Sequence, residues 1–277
     1  MGVFYEVIPK SLQPWILSQH VFWVATAPLS NLGHVNVSPK GGPYFGLVDE
    51  KTFWYIDLTG SGNETISHLH EPDNGRITIM FNAFDGPPKI VRLWGKGRVL
   101  ENGTPQFTEF VVNNDVKLLT GTRSIVIVDI HQVGSSCGFS VPLFDFKEHR
   151  QILNDHMIKK EAKFKAGNEK ESFDRYWAHK NAWSMDMLPG MKRGLAVAES
   201  EKVEPIKKMV GPMAPKAYHS LSTSVPTAEM RMIAIAIISF LVGVLLATYG
   251  PRLIGDLGIP NGGLSMPHLR GQMWYMN

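Results

Sequence analysis

Seven short runs of hydrophobic residues occupy positions 21–133, and turns rich in Gly, Pro, Asn and Asp separate them. β-Branched and aromatic residues dominate these runs, and several alternate with polar residues, as strands with one buried face do. The pattern predicts strands over residues 21–29, 34–38, 44–48, 53–57, 76–84, 89–100 and 123–133, and helices over 63–70 and 106–113. Because short turns join neighbouring strands, we expect antiparallel pairing and a closed or half-closed barrel.

Charged, helical patterns replace the strand pattern after position 147. Residues 147–187 predict two helices separated by Ala166-Gly167-Asn168, and the prolines among Ser, Thr and Lys between 195 and 228 indicate a flexible tether. The predicted organisation is a β domain over 1–146, a helical extension over 147–194, a tether over 195–230, a membrane helix over 231–250 and a short tail over 251–277.

The membrane helix is predicted from residues 232–249, which are 18 residues without a charge. Such a run can cross a hydrocarbon layer of about 30 Å, whereas a buried core helix, the alternative, would usually show a polar face. Five Lys or Arg residues lie between 201 and 231, and two follow the span. This bias predicts a single-pass C-terminal anchor with the N-terminal domain in the cytosol.

The composition describes a folded protein and narrows its partners. Hydrophobic residues make up 44% of the chain and charged residues 19%, while the net charge is only +3. That charge is too small to indicate nucleic-acid binding. The single cysteine, Cys137, cannot form an intramolecular disulfide, and no Cys or His spacing matches a zinc site. We therefore predict no metal and no nucleic-acid partner.

A candidate phosphate-binding loop follows the predicted strand over residues 53–57. The strand ends at Asp57, and Thr59, Ser61 and two glycines lead to a predicted helix start at Asn63. Free N–H groups at a helix start favour an anion, glycines allow close approach, and the hydroxyls can add donors. The alternative is a turn before a capped helix, with Ser61 or Asn63 as the N-cap.

Two cationic residues on other predicted strands could serve the same ligand. Lys40 ends the segment HVNVSPKG, residues 34–41, and Arg92 lies in KIVRLWGKG, residues 89–97. Both side chains suit a dianionic phosphate. Alternatively, Lys40 is a solvated turn lysine, and Arg92 is a surface residue or an ion-pair partner.

The segment HVNVS alternates, with Val35 and Val37 on one face and His34, Asn36 and Ser38 on the other. Its backbone could pair with the edge of a flat heterocycle. His34, His68 and His70 have no carboxylate or serine partner at triad spacing, so no catalytic role is assigned to them and the catalytic residues stay unassigned.

Three segments together resemble the FMN-binding split-barrel superfamily, that of pyridoxamine 5'-phosphate oxidase. They are HVNVSPKG, WYIDLTGSGNETISHL and IVRLWG, at residues 34–41, 54–69 and 90–95, and the resemblance covers about residues 21–130. Residues 136–146 and 176–190 are similar to a fungal-type branch. Gly62-Asn63-Glu64 stands where the family has a basic pair, and the family's substrate-binding Arg/His elements are not recognisable after residue 130.

The resemblance implies FMN as the cofactor, bound between the two subunits of a homodimer. The implied cofactor-binding residues are Val35, Asn36, Val37 and Ser38 along the isoalloxazine or ribityl chain, Asp57 and Thr59 at the end of the flavin-contacting strand, Ser61 and Asn63 at the phosphate, and Lys40 and Arg92 near the phosphate or ring edge.

The sequence therefore predicts an α+β fold, an antiparallel split β-barrel with peripheral helices, a helical extension and a C-terminal transmembrane helix. The resemblance implies an FMN-dependent oxidoreductase of unknown substrate, whose partners are a flavin, a small-molecule substrate and a second copy of the chain. The uncharged run over residues 232–249 adds a membrane to these partners. The alternative is a non-enzymatic flavin or tetrapyrrole binder, or a ligand-free dimerisation scaffold at a membrane.

Overall fold

A computed structural model describes residues 2–214, 232, 235–245 and 247–248. The chain divides into two units, Met1–Leu221 and Ser222–Asn277. The first unit is an α+β structure built on one curled antiparallel sheet. Its strands are β1 (Val3–Tyr5), β2 (Val21–Thr26), β3 (Asn36–Gly41), β4 (Phe45–Leu47), β5 (Thr52–Leu58), β6 (Arg76–Asn82), β7 (Ile90–Glu101) and β8 (Thr122–Ser136). They lie in the order β3-β2-β6-β7-β8-β5-β4, with β1 paired to β8.

Among the described residues of the first unit, six α-helices accompany the sheet. They are α1 (Gln13–Leu17), α2 (Glu64–His70), α3 (Pro105–Asn113), α4 (Ile152–Lys165), α5 (Phe173–Asn181) and α6 (Lys192–Ser200). The Glu101 carboxylate at the end of β7 accepts hydrogen bonds from the backbone N–H groups of Lys192 and Arg193 at 2.7 and 3.1 Å. This anion at the start of α6 satisfies N–H groups that the helix leaves free.

The main core lies on the concave side of the sheet, because alternate residues of each strand point to that side. On β2, for example, Phe22 and Val24 are buried while Val21 and Trp23 are half-buried. Phe22 contacts the rings of Phe45, Phe53, Tyr55 and Phe81, with centroids 5.0–5.6 Å apart. This aromatic cluster holds the two halves of the curled sheet together.

The predicted α+β class and the antiparallel barrel are confirmed, and the structure differs from the prediction in its first two elements and in the bounds of β3. The short β1 and α1 were not predicted. The strand predicted over 34–38 instead runs through Pro39 to Gly41. Pro39 is tolerated because β3 is an edge strand, paired only with β2, so a missing N–H need not cost a ladder hydrogen bond.

The helical extension predicted over 147–194 continues past residue 194 in the structure. The barrel and the helical extension belong to one unit, and α6 continues to Ser200, inside the segment predicted as a tether from residue 195. Beyond α6 the chain still contacts α5, since the backbone N–H of Ile206 donates to the carbonyl of His179 at 2.8 Å.

The second unit is described only at residues 232, 235–245 and 247–248, all of which are helical. Within the described part of the chain, no helix combines the length and apolarity needed to span a membrane. Residues 232, 235–245 and 247–248 are the only described part of the membrane helix predicted over 231–250, and the predicted tail over 251–277 lies outside the described residues.

Candidate functional site

A cavity of about 330 Å³ opens between β3, the end of β5 and the loop that leads into α2. Its volume lies at the lower end of the range for small-molecule sites, about 300–1,000 Å³. Polar and charged side chains from four elements line it. They are Asn36, Ser38 and Lys40 of β3, Asp57 of β5, Glu64 and Thr65 of α2, and Arg123 of β8. We call it the polar cavity.

The alternation of β3 decides which of its residues reach the polar cavity. Asn36, Ser38 and Lys40 point to the concave side and line the cavity. The Asn36 side-chain amide donates to the Thr65 hydroxyl at 3.1 Å, which ties β3 to α2. Val37 lies on the opposite face and Val35 lies just before the strand, and these side chains are 60% and 70% exposed. The structure thus separates the four predicted residues of this segment into two pairs.

A buried ion-pair group forms the floor of the polar cavity. Asp57 accepts from the Lys40 ammonium at 2.9 Å and from the Arg123 guanidinium at 2.7 Å, each on a different carboxylate oxygen. Burial alone raises the pKa of the Asp57 carboxyl, but the charges of Arg123 and Lys40 outweigh it and hold the pKa at about 2. Asp57 is therefore ionised at neutral pH and fixes both cations in place.

Arg123 belongs to this group because of a bulge in β8. Asp57 pairs with Ser124 and Leu58 pairs with Thr122, so Arg123 is an extra residue between the two pairs. A bulge redirects a side chain, and here the guanidinium also donates to the carbonyl of Gly60 at 3.2 Å. Arg123 was not among the site residues predicted from the sequence. Two features of the sequence could have indicated it: Arg123 begins one apolar run, and the oppositely charged Asp57 ends another.

The predicted phosphate-binding loop is tied to α5 instead of standing free. The Trp177 indole N–H donates to the Thr59 hydroxyl at 3.0 Å, and the Asn63 side-chain amide donates to the Asn181 carbonyl at 3.0 Å. Thr59 is fully buried, and Ser61 is exposed. Among the predicted loop residues, Asn63 lines the polar cavity and Thr59 and Ser61 do not.

Asn63 occupies the N-cap position of α2, but its side chain makes no capping hydrogen bond. The Glu64 carboxylate instead accepts from the Asn63 backbone N–H at 2.9 Å and from the backbone N–H of Met185 at 3.3 Å. An anion supplied by the chain itself therefore already sits at this helix start.

Arg92 lies apart from the polar cavity. In the sheet it is level with Met80, Trp23 and Pro39, which belong to the convex face, and two strands separate β7 from β3. The structure does not bring Arg92 and Lys40 together within one chain, because their side chains point to opposite faces of the sheet.

The convex face around Arg92 carries apolar side chains, and we call it the outer face. Phe4 and Trp94 stack there with ring centroids 6.2 Å apart, and Phe4 is 67% exposed. Val37 and Trp23 lie on the same face. Exposed apolar surface of this kind marks interaction sites.

The donors of the polar cavity suit a ligand with an anionic end. Lys40, Arg123, Ser38 and Asn36 supply an ammonium, a guanidinium, a hydroxyl and an amide, the groups that hold phosphates and polar chains in proteins. Within the described residues, no cluster of His, Cys, Asp and Glu could hold a metal ion.

The sequence of the chain is similar to that of a known protein. The chain is 39% identical, over 201 residues, to pyridoxamine 5'-phosphate oxidase family protein ustO of Aspergillus flavus, covering 69% of this chain and 78% of that protein. No family model matches the sequence.

Solved structures resemble the chain at lower identity. HupZ of Group A Streptococcus is 23% identical, with a TM-score of 0.36 and coverage of 46% of this chain and 91% of that one. The FAD-binding protein of Mycobacterium smegmatis is 14% identical, with a TM-score of 0.33 and coverage of 48% and 97%.

Proposed function

The chain belongs to the pyridoxamine 5'-phosphate oxidase family, and from this membership we propose that it binds FMN and acts as a flavin-dependent oxidoreductase. The observation that carries the proposal is the convergence of Lys40 and Arg123 with the polar side chains of β3 at one cavity. These donors are suited to the phosphate and ribityl chain of a flavin nucleotide. Its substrate would be a small molecule.

A bound flavin would supply the electron-transfer chemistry, so the protein's part is to bind and orient it. Lys40 and Arg123 would hold the phosphate, and Asp57 keeps both cations at fixed positions through its two carboxylate oxygens. Asn36 and Ser38 would bind the polar chain from the edge strand. No side chain is needed as a general acid or base, which agrees with the lack of a predicted triad.

A ligand-free scaffold is the second candidate, and one observation favours it. Asp57 already pairs with both cations of the polar cavity, and Glu64 lies at the start of α2. The cations are thus neutralised without any ligand. The two candidates differ in whether the protein takes up a flavin.

We expect the full chain, purified in detergent, to carry or take up FMN, giving the absorption bands of a bound flavin and quenched flavin fluorescence. Lys40→Met should weaken FMN binding by about tenfold, since a hydrogen bond to a charged group contributes about 1.5–3 kcal/mol. Lys51→Met is the control, because Lys51 is an exposed lysine of the turn before β5. A protein that stays colourless after FMN is added would support the scaffold instead.

We further propose that two copies of the chain associate through the outer face. Its exposed Phe4 and Val37 lie on the same face of the sheet as Arg92. Arg92 can join a flavin site only if it comes from a second chain, since it lies away from the polar cavity of its own. A flavin bound between two subunits would contact the polar cavity of one subunit and the outer face of the other.

Val37→Lys should shift the full chain in detergent from dimer to monomer, because a charge placed in an apolar contact loses its hydration without gaining a partner. Val112→Lys is the matched control, since Val112 is 72% exposed on α3, whose Phe110 packs against Trp54 of β5 and not against the residues of the outer face. Sedimentation at several protein concentrations measures the change. Equal dimer fractions for Val37→Lys, Val112→Lys and the unmodified chain would refute this interface.

Membrane anchoring through residues 232–249, with the N-terminal domain facing the cytosol, is the remaining part of the proposal. It is supported by the uncharged 18-residue run and by the excess of Lys and Arg before it.

A further inference from the structure

Lys208 reaches the wall of the polar cavity from a segment distant in sequence. The Lys208 ammonium contacts the Asn63 side-chain carbonyl and lies 3.5 Å from a carboxylate oxygen of Glu64. Asn63 and Glu64 both line the cavity, whereas Lys208 comes from the stretch that follows α6. The backbone hydrogen bond from Ile206 to His179 holds this stretch against α5.

The Lys208 side chain is held in a partly dehydrated position. Only 13% of it is exposed, which is unusual for a lysine. Burial lowers the pKa of the Lys208 ammonium, and the nearby Glu64 carboxylate opposes that shift. A cation that has already lost most of its water interacts more strongly with an approaching anion than a solvated one does.

Lys208 also changes the balance of charge around the polar cavity. Two cations, Lys40 and Arg123, and two carboxylates, Asp57 and Glu64, line the cavity, so their charges sum to zero. Lys208 adds a third cation against the two carboxylates. Without it, this group of charges offers a dianionic phosphate no net attraction.

The same position is notable in the sequence. Gly62-Asn63-Glu64, at the start of α2, contains an acidic residue and no cation of its own. In the fold, the Lys208 ammonium lies beside these residues, although Lys208 is 144 positions beyond Glu64 in the sequence.

We propose that Lys208 is a ligand-binding residue of the polar cavity, which attracts the phosphate end of the flavin and makes the site prefer a phosphorylated flavin to riboflavin. This inference rests on the proposed function. It assigns the segment after α6 a part in the site, in addition to its packing against α5.

The test compares FMN with riboflavin, which has the same ring system and ribityl chain but no phosphate. We expect Lys208→Met to raise the dissociation constant of FMN by about tenfold and to leave that of riboflavin within about twofold. Quenching of flavin fluorescence on titration into the full chain in detergent measures both constants. Lys207→Met is the matched control, because Lys207 is the neighbouring lysine and is exposed.

Lys208→Arg tests whether FMN binding depends on the positive charge at residue 208 or only on the packing of the segment after α6. Arginine retains the positive charge, so we expect the preference for FMN over riboflavin to remain. If Lys208→Met weakens FMN and riboflavin equally, the residue only holds the segment in place and the inference fails. If Lys208→Met binds FMN as the unmodified chain does, the inference also fails while the proposed function stands. If the unmodified chain binds neither flavin, the proposed function fails and the inference falls with it.

Discussion

Replacing Arg123 with Met should lower the free energy of unfolding by about 3–5 kcal/mol at neutral pH, the range for breaking a buried ion pair from one side. The Arg123 and Asp57 side chains are 5% and 3% exposed, and their closest N and O atoms are 2.7 Å apart. The substitution leaves the Asp57 carboxylate buried with Lys40 as its remaining cationic partner. Equilibrium unfolding in urea, followed by tryptophan fluorescence, measures the loss.

Arg98→Met provides the matched control. Arg98 and Asp129 form an ion pair at 3.5 Å between β7 and β8, but both side chains are more than half exposed. Exposed pairs contribute about 0–1 kcal/mol, so we expect a change within that range. Equal losses for Arg123→Met and Arg98→Met would show that burial of the Asp57 group carries no stability.

The deficit of Arg123→Met should shrink in acid. The folded-state pKa of Asp57 is about 2, below its usual value of 3.8. The corresponding stability is therefore fully present above about pH 4 and is lost as the pH falls through 2. In the variant, burial is opposed by Lys40 alone, so the pKa of Asp57 rises and protonation then favours folding. We expect the difference in unfolding free energy between the two proteins to be smaller at pH 3 than at pH 7.

Strand patterns were predictable because alternation is a local property of the sequence. The runs ending at Asp57 and beginning at Arg123 have continuous apolar character, and they become the neighbouring strands β5 and β8. The strand predicted over residues 34–38 stops before Pro39, whereas β3 includes it. A proline is tolerated there because β3 is an edge strand, and which strands lie at an edge is not visible in a local pattern.

The side of the sheet on which a residue lies was predictable within one strand and not between strands. The alternation of HVNVS separates Val35 and Val37 from Asn36 and Ser38, as the structure does, although the family resemblance assigned all four to the flavin. Arg92 and Lys40 were both placed near the ligand because of their charge. Their opposite orientation follows from a register across β3, β2, β6 and β7 that single segments do not reveal.

Two cations at or beside the polar cavity escaped prediction for a common reason. Arg123 reaches the cavity through a bulge, and Lys208 reaches its wall through a chain segment that returns after three further helices. Neither arrangement leaves a spacing motif. The same holds for the attachment of α5 to the predicted phosphate-binding loop through Trp177 and Asn181.

Gly190→Ala should destabilise the fold by about 1–3 kcal/mol and weaken FMN binding, because overpacking a closed contact forces neighbouring groups to move. A Cβ atom at Gly190 would overlap the Asn63 side-chain amide and the Asn181 carbonyl, and would lie 3.1 Å from the Ala182 carbonyl. Gly190 is also fixed by its own backbone, since its N–H donates to Ala182 at 2.7 Å and its carbonyl accepts from the His70 ring at 2.9 Å.

The loop that ends at Gly190 must therefore move away from Asn63, and this movement disturbs the wall of the polar cavity contacted by Lys208. Urea unfolding and FMN titration of the full chain should both register the change. Gly60→Ala is the control for stability, since its Cβ would meet only the Leu58 carbonyl, at an ordinary 3.9 Å. Because alanine restricts the unfolded chain more than glycine does, Gly60→Ala should leave the unfolding free energy unchanged or slightly raised. A Gly190→Ala protein with unaltered stability and FMN affinity would mean that the loop yields at no cost and that its close contact with Asn63 does not shape the site.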